Sequence, residues 1–160
     1  MSGSIEVWRI AADTKDYEAH DLSGKGAENS GGRWNRKGTA MVYASSSRAL
    51  ACLETVVHLG GSVPLPLNRY LMHVLLPISL WNARTIFRNA DHVGWDAEPA
   101  GKVSIDWGTE WSKGKTALLA EVPSVIVHEE RNILINPSHP DAGKLKASKV
   151  RKWTYDFRLK

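Results

Sequence analysis

The sequence predicts an α+β fold: a mixed, mainly antiparallel sheet with flanking helices. Three observations lead there. About six short stretches are rich in β-branched and aromatic residues and alternate apolar with polar. Two or three others carry a helical repeat. The two kinds do not follow one another in strict β-α-β order, which argues against a doubly wound parallel sheet. With 160 residues, 42% hydrophobic and 24% charged, the chain suits one domain over 1–160 with a core of ordinary size.

The elements are read in order. Ile5–Ile10 (IEVWRI) is the first strand; it contains Arg9, and a strand arginine is usually an exposed edge residue. Ala11–Gly31 is polar and weakly periodic, a long loop with room for a short helix, and loops of that length are often functional. Gly31-Gly32 frees the backbone ahead of Arg33-Trp34-Asn35, Arg36-Lys37-Gly38 turns, and Thr39–Ala44 (TAMVYA) is a second strand. Ser45–Ser47 offers an N-cap to a helix over Arg48–His58. There Ala49, Cys52, Leu53, Val56 and Val57 make an apolar stripe with Glu54 at its margin, and Gly60-Gly61 ends the helix. Pro64 and Pro66 mark a loop, Tyr70–Leu76 is a third strand, and Ile78–Ile105 is irregular. Asp106–Leu119 holds a helix weakened by Gly108 and Gly114. Ala120–Val127 is a strand interrupted at Pro123, hence an edge or a kinked entry. Asn132–Ile135 (NILI) is another strand, Asn136-Pro137 turns out of it, and Lys152–Leu159 (KWTYDFRL) alternates as a last strand.

Bulk properties exclude several classes. No apolar run approaches the roughly 18 residues of a membrane helix, and MSGSIEVWRI has no signal-peptide pattern. Cys52 has no second cysteine to pair with, so a cytoplasmic protein is expected. The six histidines never fall in metal-ligand spacing with a cysteine or carboxylate, so no metal is expected. Neither a Walker A loop nor GxGxxG occurs, so a bound nucleotide would be held by arginines. Cys52 lies on the apolar stripe and reads as a small packing residue rather than a nucleophile. The net charge of +4 is uneven: Lys144–Lys160 carries seven Lys/Arg against Asp156 alone. Such a tail suits either solubility or an acidic partner.

Within Ser30–Glu54 the residue types converge on one chemistry. Arg33 follows two glycines, and its planar fork can pair with phosphate, although a surface arginine is the commoner role. Tyr43, on a strand, can stack on a ring or simply fill core. Glu54 beside an apolar stripe is either a solvated helix glutamate or a half-buried carboxylate poised for chemistry. Asn136, in NILINPSHPD, can reach a cleft or cap its own turn.

The order of these motifs resembles the RES domain family. Trp8-Arg9-Ile10, GGRWNRKG, VYASSSRALACLE, LLAEVPSVIV and NILINPSHPD carry the resemblance along nearly the whole chain. The family is named for an arginine, a glutamate and a serine, placed here at Arg33, Glu54 and Ser112. The resemblance implies a toxin of a bacterial type II toxin–antitoxin pair, with an ADP-ribosyltransferase-like fold and NAD as its substrate rather than a cofactor. Under that reading Glu54, Arg33 and Tyr43 are catalytic. Glu54 stabilises an oxocarbenium-like ribose as nicotinamide leaves, Arg33 and Arg9 hold diphosphate or ribose, and Tyr43 stacks on the nicotinamide. Ser112 binds substrate or positions Glu54, and Asn136 and Trp34 join the substrate-binding candidates, although packing and loop-bracing are the commoner roles for Trp34 and Asn35.

NAD hydrolysis is the expected reaction; phosphorolysis and ADP-ribosyl transfer to a protein share the same site. A nucleic-acid-binding or RNA-cleaving toxin is the alternative of another class, motivated by the basic tail, and a non-enzymatic partner-binding module is a third reading. The expected partner is a helix-turn-helix (Xre-type) antitoxin, through which any nucleic-acid contact would be indirect. A homodimer is compatible with the sequence.

Overall fold

The structure, a computed structural model, describes residues 3–61 and 64–159. In chain order its elements are β1 (Ser4–Ala12), α1 (Lys25–Ser30), β2 (Val42–Ser45), α2 (Arg48–His58), β3 (Arg69–Pro77), α3 (Ile78–Asn82), β4 (Thr85–Ile86), α4 (Lys102–Gly114), β5 (Leu119–Pro123), β6 (Arg131–Ile135) and β7 (Ala147–Lys152). The strands form one sheet in the order β4-β5-β6-β2-β1-β3-β7. β4 and β5 run parallel; the other adjoining pairs are antiparallel, as the composition of short alternating strands required.

The pairing is uneven. β1 meets β3 at every residue from Ser4↔Pro77 to Ala12↔Arg69. It meets β2 only at Trp8↔Ser45. Past that bridge Arg9–Ala12 and Val42–Ala44 no longer pair with one another, so the sheet splits into two halves. β1, β3 and β7 make one half; β2, β6, β5 and β4 make the other.

Two-residue alternation assigns each face. Val7, Val42, Ala44, Val74, Leu119, Ile133 and Ile135 fill one side. On the other, Trp8, Ile10 and Leu71 pack against Ala51 of α2, while Ala120, Val122 and Leu134 pack under Trp34, Phe87, Trp95 and Trp111.

Several boundaries differ from the sequence expectation, each for a local reason. The helix over Arg48–His58 forms with Ser47 as N-cap, its Oγ accepting the Leu50 amide at 3.1 Å. Its buried face is rotated, however: Leu50 and Ala51 are buried, whereas Ala49 and Val57 are exposed. The strand expected from Thr39 begins at Val42, because the Thr39 carbonyl accepts from Asn35 Nδ2 at 3.0 Å and belongs to the preceding turn. The strand through Pro123 ends there, past the short cover of β4, so the missing proline N–H deprives no neighbouring strand. The last strand is Ala147–Lys152 rather than Lys152–Leu159. Beyond it Trp153 and Tyr155 turn inward to pack on α2, with Tyr155 Oη on Thr55 Oγ1 at 3.0 Å. The irregular Ile78–Ile105 stretch contains α3, β4 and the first turn of α4.

Helix α4 starts at Lys102 and runs through Gly108. There the backbone of Trp34 lies so close that a Cβ would overlap its carbonyl. The Arg36 amide donates to Thr109 Oγ1 at 3.1 Å, and Arg36 pairs with Asp106. Helix α4 thus cradles the GGRWN turn.

Candidate active site

Glu54 sits at the junction of the two half-sheets. Its Oε1 accepts from Ser124 Oγ and its Oε2 from Asn132 Nδ2, both at 3.0 Å. Asn132 Oδ1 in turn accepts from Ser45 Oγ at 2.7 Å, and Ser45 is the residue that bridges β2 to Trp8. Ser124 is fully buried, and its oxygen accepts the amides of Ile126 and Val127 at 3.1 and 3.2 Å. That turn after β5 directs the serine proton at Glu54. A carboxylate has about four lone-pair directions, so two remain open.

Ser112 is expected to bind substrate or to position Glu54, and the serine hydrogen bond to Glu54 comes instead from Ser124. Ser112 is buried on α4, where its Oγ donates to Asn136 Oδ1 at 3.2 Å. Asn136 Nδ2 returns a bond to the Ser112 carbonyl at 2.8 Å, and its Oδ1 also accepts the Ser138 amide at 3.0 Å. Asn136 therefore ties α4 to β6 and caps its own turn. The sequence reading passed over Ser124 and Asn132. Their signal was weak: Ser124 follows a proline at a strand end, and Asn132 opens NILI.

Tyr43 on β2 points to the same side as Leu134. Its Oη donates to Asn35 Oδ1 at 2.6 Å and accepts the Trp34 amide at 3.0 Å. Burial pushes the phenol well above its ordinary pKa, against smaller opposing effects of the Trp34 amide and the Arg33 charge. The hydroxyl is thus a fixed neutral group that locks the GGRWN turn. Asn35 completes the lock with Nδ2 bonds to the carbonyls of Ala27, Arg36 and Thr39. Trp34 is core: it meets Phe87 edge-on at 4.8 Å and stacks with Trp95 at 6.2 Å.

Arg33 reaches outward to the segment after the 3-10 turn at Asn89–Asp91. Nη1 donates to the carbonyls of Trp95 (3.2 Å) and Ala97 (2.8 Å), and Nη2 pairs with the exposed Glu98 at 2.7 Å. Trp95 packs against His128, four residues past Ser124. Arg33 and Glu54 are therefore linked through the Ser124–His128 turn and the Trp95 segment.

Arg9 lies on the other side of the bridge. It lines a pocket of about 220 Å³ with Lys25, Thr55, His58 and Arg69. Thr55 follows Glu54 on α2, so pocket and carboxylate share one helical turn. Cys52 is half-buried, and burial pushes its thiol up, as suits a packing residue. Among the described residues no group of three or more His, Cys, Asp or Glu could hold a metal, and no helix is long and apolar enough to cross a membrane.

The RES domain family profile matches residues 6–158. The chain belongs to the RES domain family. This RES chain is 58% identical over 157 residues to the "Prs ADP-ribosylating toxin" of Sphingobium sp. (strain YBL2), covering 98% of this chain and 97% of that protein. It is 36% identical over 154 residues to a "Toxin Res" of Pseudomonas putida, covering 96% and 98% of the two chains. A "Toxin Res" of Yersinia enterocolitica is 35% identical over 147 residues, covering 90% and 93%. In this RES chain the arginine and glutamate expected from the resemblance stand at either end of the described network, and the serine on the glutamate is Ser124.

Proposed function

We propose that this RES chain is a toxin that breaks the nicotinamide–ribose bond of NAD and passes ADP-ribose to an acceptor, with Glu54 beside the reacting carbon. The observation that carries the reading is the Glu54 carboxylate, held on both oxygens by Ser124 and Asn132 where the sheet divides. As the bond breaks, its electron pair leaves with the ring, so the cationic nicotinamide departs neutral and positive charge develops on the ribose. A pre-oriented carboxylate stabilises that charge without reorganising. The acceptor then bonds to the same carbon and releases a proton. Arg33 holds the Trp95–Glu98 wall of the site, and the Tyr43 ring, on the inner face of β2, flanks the nicotinamide.

The name of the 58%-identical relative favours ADP-ribosyl transfer and makes Prs the first acceptor to test. Hydrolysis is the second reading, since the two open lone-pair directions on Glu54 suit a bound water. Phosphorolysis differs only in the acceptor. The toxin names of the relatives support an antitoxin partner, for which a helix-turn-helix protein encoded nearby is expected, and the single cysteine, Cys52, suits a cytoplasmic site of action.

The test is nicotinamide release from NAD by the purified chain, alone, with Prs, and with phosphate. Release with label transferred to Prs identifies transfer; release without acceptor identifies hydrolysis. Glu54→Gln should lower release by about 10²–10³-fold while the protein stays folded. No release by the unaltered chain under any of the three conditions overturns the proposal.

A further inference from the structure

The helix that carries Glu54 and the groups that hold its carboxylate belong to different halves of the sheet. Helix α2 packs on β1: Ala51 lies with Trp8 and Ile10, and the Arg48 guanidinium sits over the Trp8 ring at 3.9 Å. The donors to the carboxylate come from β6 and from the turn after β5. A slip between the halves would carry the carboxylate away from its donors.

Ser45 meets both halves. Its backbone faces Trp8 on β1 and Asn132 on β6. Its Oγ donates to Asn132 Oδ1 at 2.7 Å, and Asn132 Nδ2 donates onward to Glu54 Oε2 at 3.0 Å. The chain is shielded from water, with Ser45 4% and Asn132 7% exposed. A carboxylate only accepts, so Glu54 needs the NH2 end of the Asn132 amide, and the oxygen end would repel it. With its Oδ1 engaged by a hydroxyl, the amide presents that NH2 end, and each bond in the chain polarises the next. A cross-strand pair that served the sheet alone could stand anywhere along β2 and β6. This one stands at the β1–β2 register pair and ends on a half-buried carboxylate.

We propose that Ser45 is a positioning residue for the reaction at Glu54. It acts through Asn132, turning the amide so that its NH2 holds Glu54 Oε2, and it keeps that hold in register with the β1 half beneath α2. Its part in the reaction rests on the NAD reading; its tether on the carboxylate does not.

Steady-state nicotinamide release by the full-length chain tests it. Ser45→Ala is expected to lower kcat about tenfold with KM within about twofold, because a misplaced carboxylate weakens the transition state more than the bound substrate. Ser45→Thr keeps the hydroxyl and should recover most of that loss. Asn132→Ala should lower kcat at least as far, and adding Ser45→Ala to it should change kcat by less than about twofold, since the serine then has nothing to act through. Ser45→Cys, close in size and a weaker donor, takes the place of Ser45→Ala if that variant fails to fold. Unchanged kcat in the Ser45 variant, or losses that multiply in the double variant, overturns the positioning role. The Asn132 side-chain amide, followed by NMR in 15N-labelled protein, reads the tether without the reaction. Its resonances should move in both Ser45→Ala and Glu54→Gln. Nicotinamide release with an Asn132 amide indifferent to Ser45 removes the positioning role alone; an amide that responds to both, without nicotinamide release by the unaltered chain, removes the NAD reading alone.

Discussion

Ser124 and Ser112 are both buried serines, yet they hold different parts of the molecule. Ser124 aims its proton at Glu54, and Ser112 ties α4 to Asn136. Ser124→Ala should therefore lower nicotinamide release about tenfold or more, with stability falling by about 1 kcal/mol. Ser112→Ala should cost a similar ~1–2 kcal/mol and leave release per folded molecule unchanged. Denaturant unfolding alongside the activity assay checks the pair, and equal activity losses would show that the serine on Glu54 is not special. Glu54, a carboxylate beside an apolar stripe, left a solvated glutamate and a half-buried one equally open, and the structure makes it half-buried and hydrogen-bonded on both oxygens. Its partners were not legible, because Ser124 and Asn132 lie some 70 and 78 residues away. Nothing in the sequence says which serine folds back onto the helix. Asn136 was visible as a turn residue, and the structure gives it the turn-capping role.

At the scale of elements, periodicity found α2 to the residue but misjudged its face. Ala49 and Val57 lie on the outside, while Leu50, Ala51 and Glu54 turn towards the sheet. A helix docked across the join of two half-sheets buries a face wider than one apolar stripe, so a polar residue can sit inside it. The alternation in KWTYDFRL was a true signal of inward Trp153 and Tyr155; the Trp153 amide still donates to the Arg69 carbonyl of β3 at 2.9 Å, and the strand ends just before it. Gly108 looked like a flaw in α4 and proves to be its contact point. Gly108→Ala would drive a methyl into the Trp34 carbonyl. The expected loss is about 2–3 kcal/mol, read as a lower urea midpoint with unchanged slope. A neutral result would mean that α4 sits farther from the GGRWN turn.

For the whole molecule, the division of the sheet is the organising fact. β1 and β3 pair fully, β2 and β6 pair fully, and one bridge at Trp8 and Ser45 joins them. The two halves should open separately. Native-state hydrogen exchange is expected to sort the β1–β3 and β2–β6 amides into two protection classes with different opening free energies, and a single shared class would argue against it. The α+β class was readable from element order, but the split was not, since no residue pattern announces where two strands stop pairing. The network around Glu54 lies on the β2–β6–β5 side of this join and draws on Ser45, Ser124 and Asn132 together, while α2 itself packs on β1. Synthesis runs from the N-terminus, so Glu54 is made long before the residues that hold it. A nascent chain that has reached only β5 has the glutamate but neither of its donors nor the strand that completes its half of the sheet. The carboxylate is held on both oxygens only once Asn132 has joined Ser124 and paired with Ser45, and fragments released before then carry no assembled site.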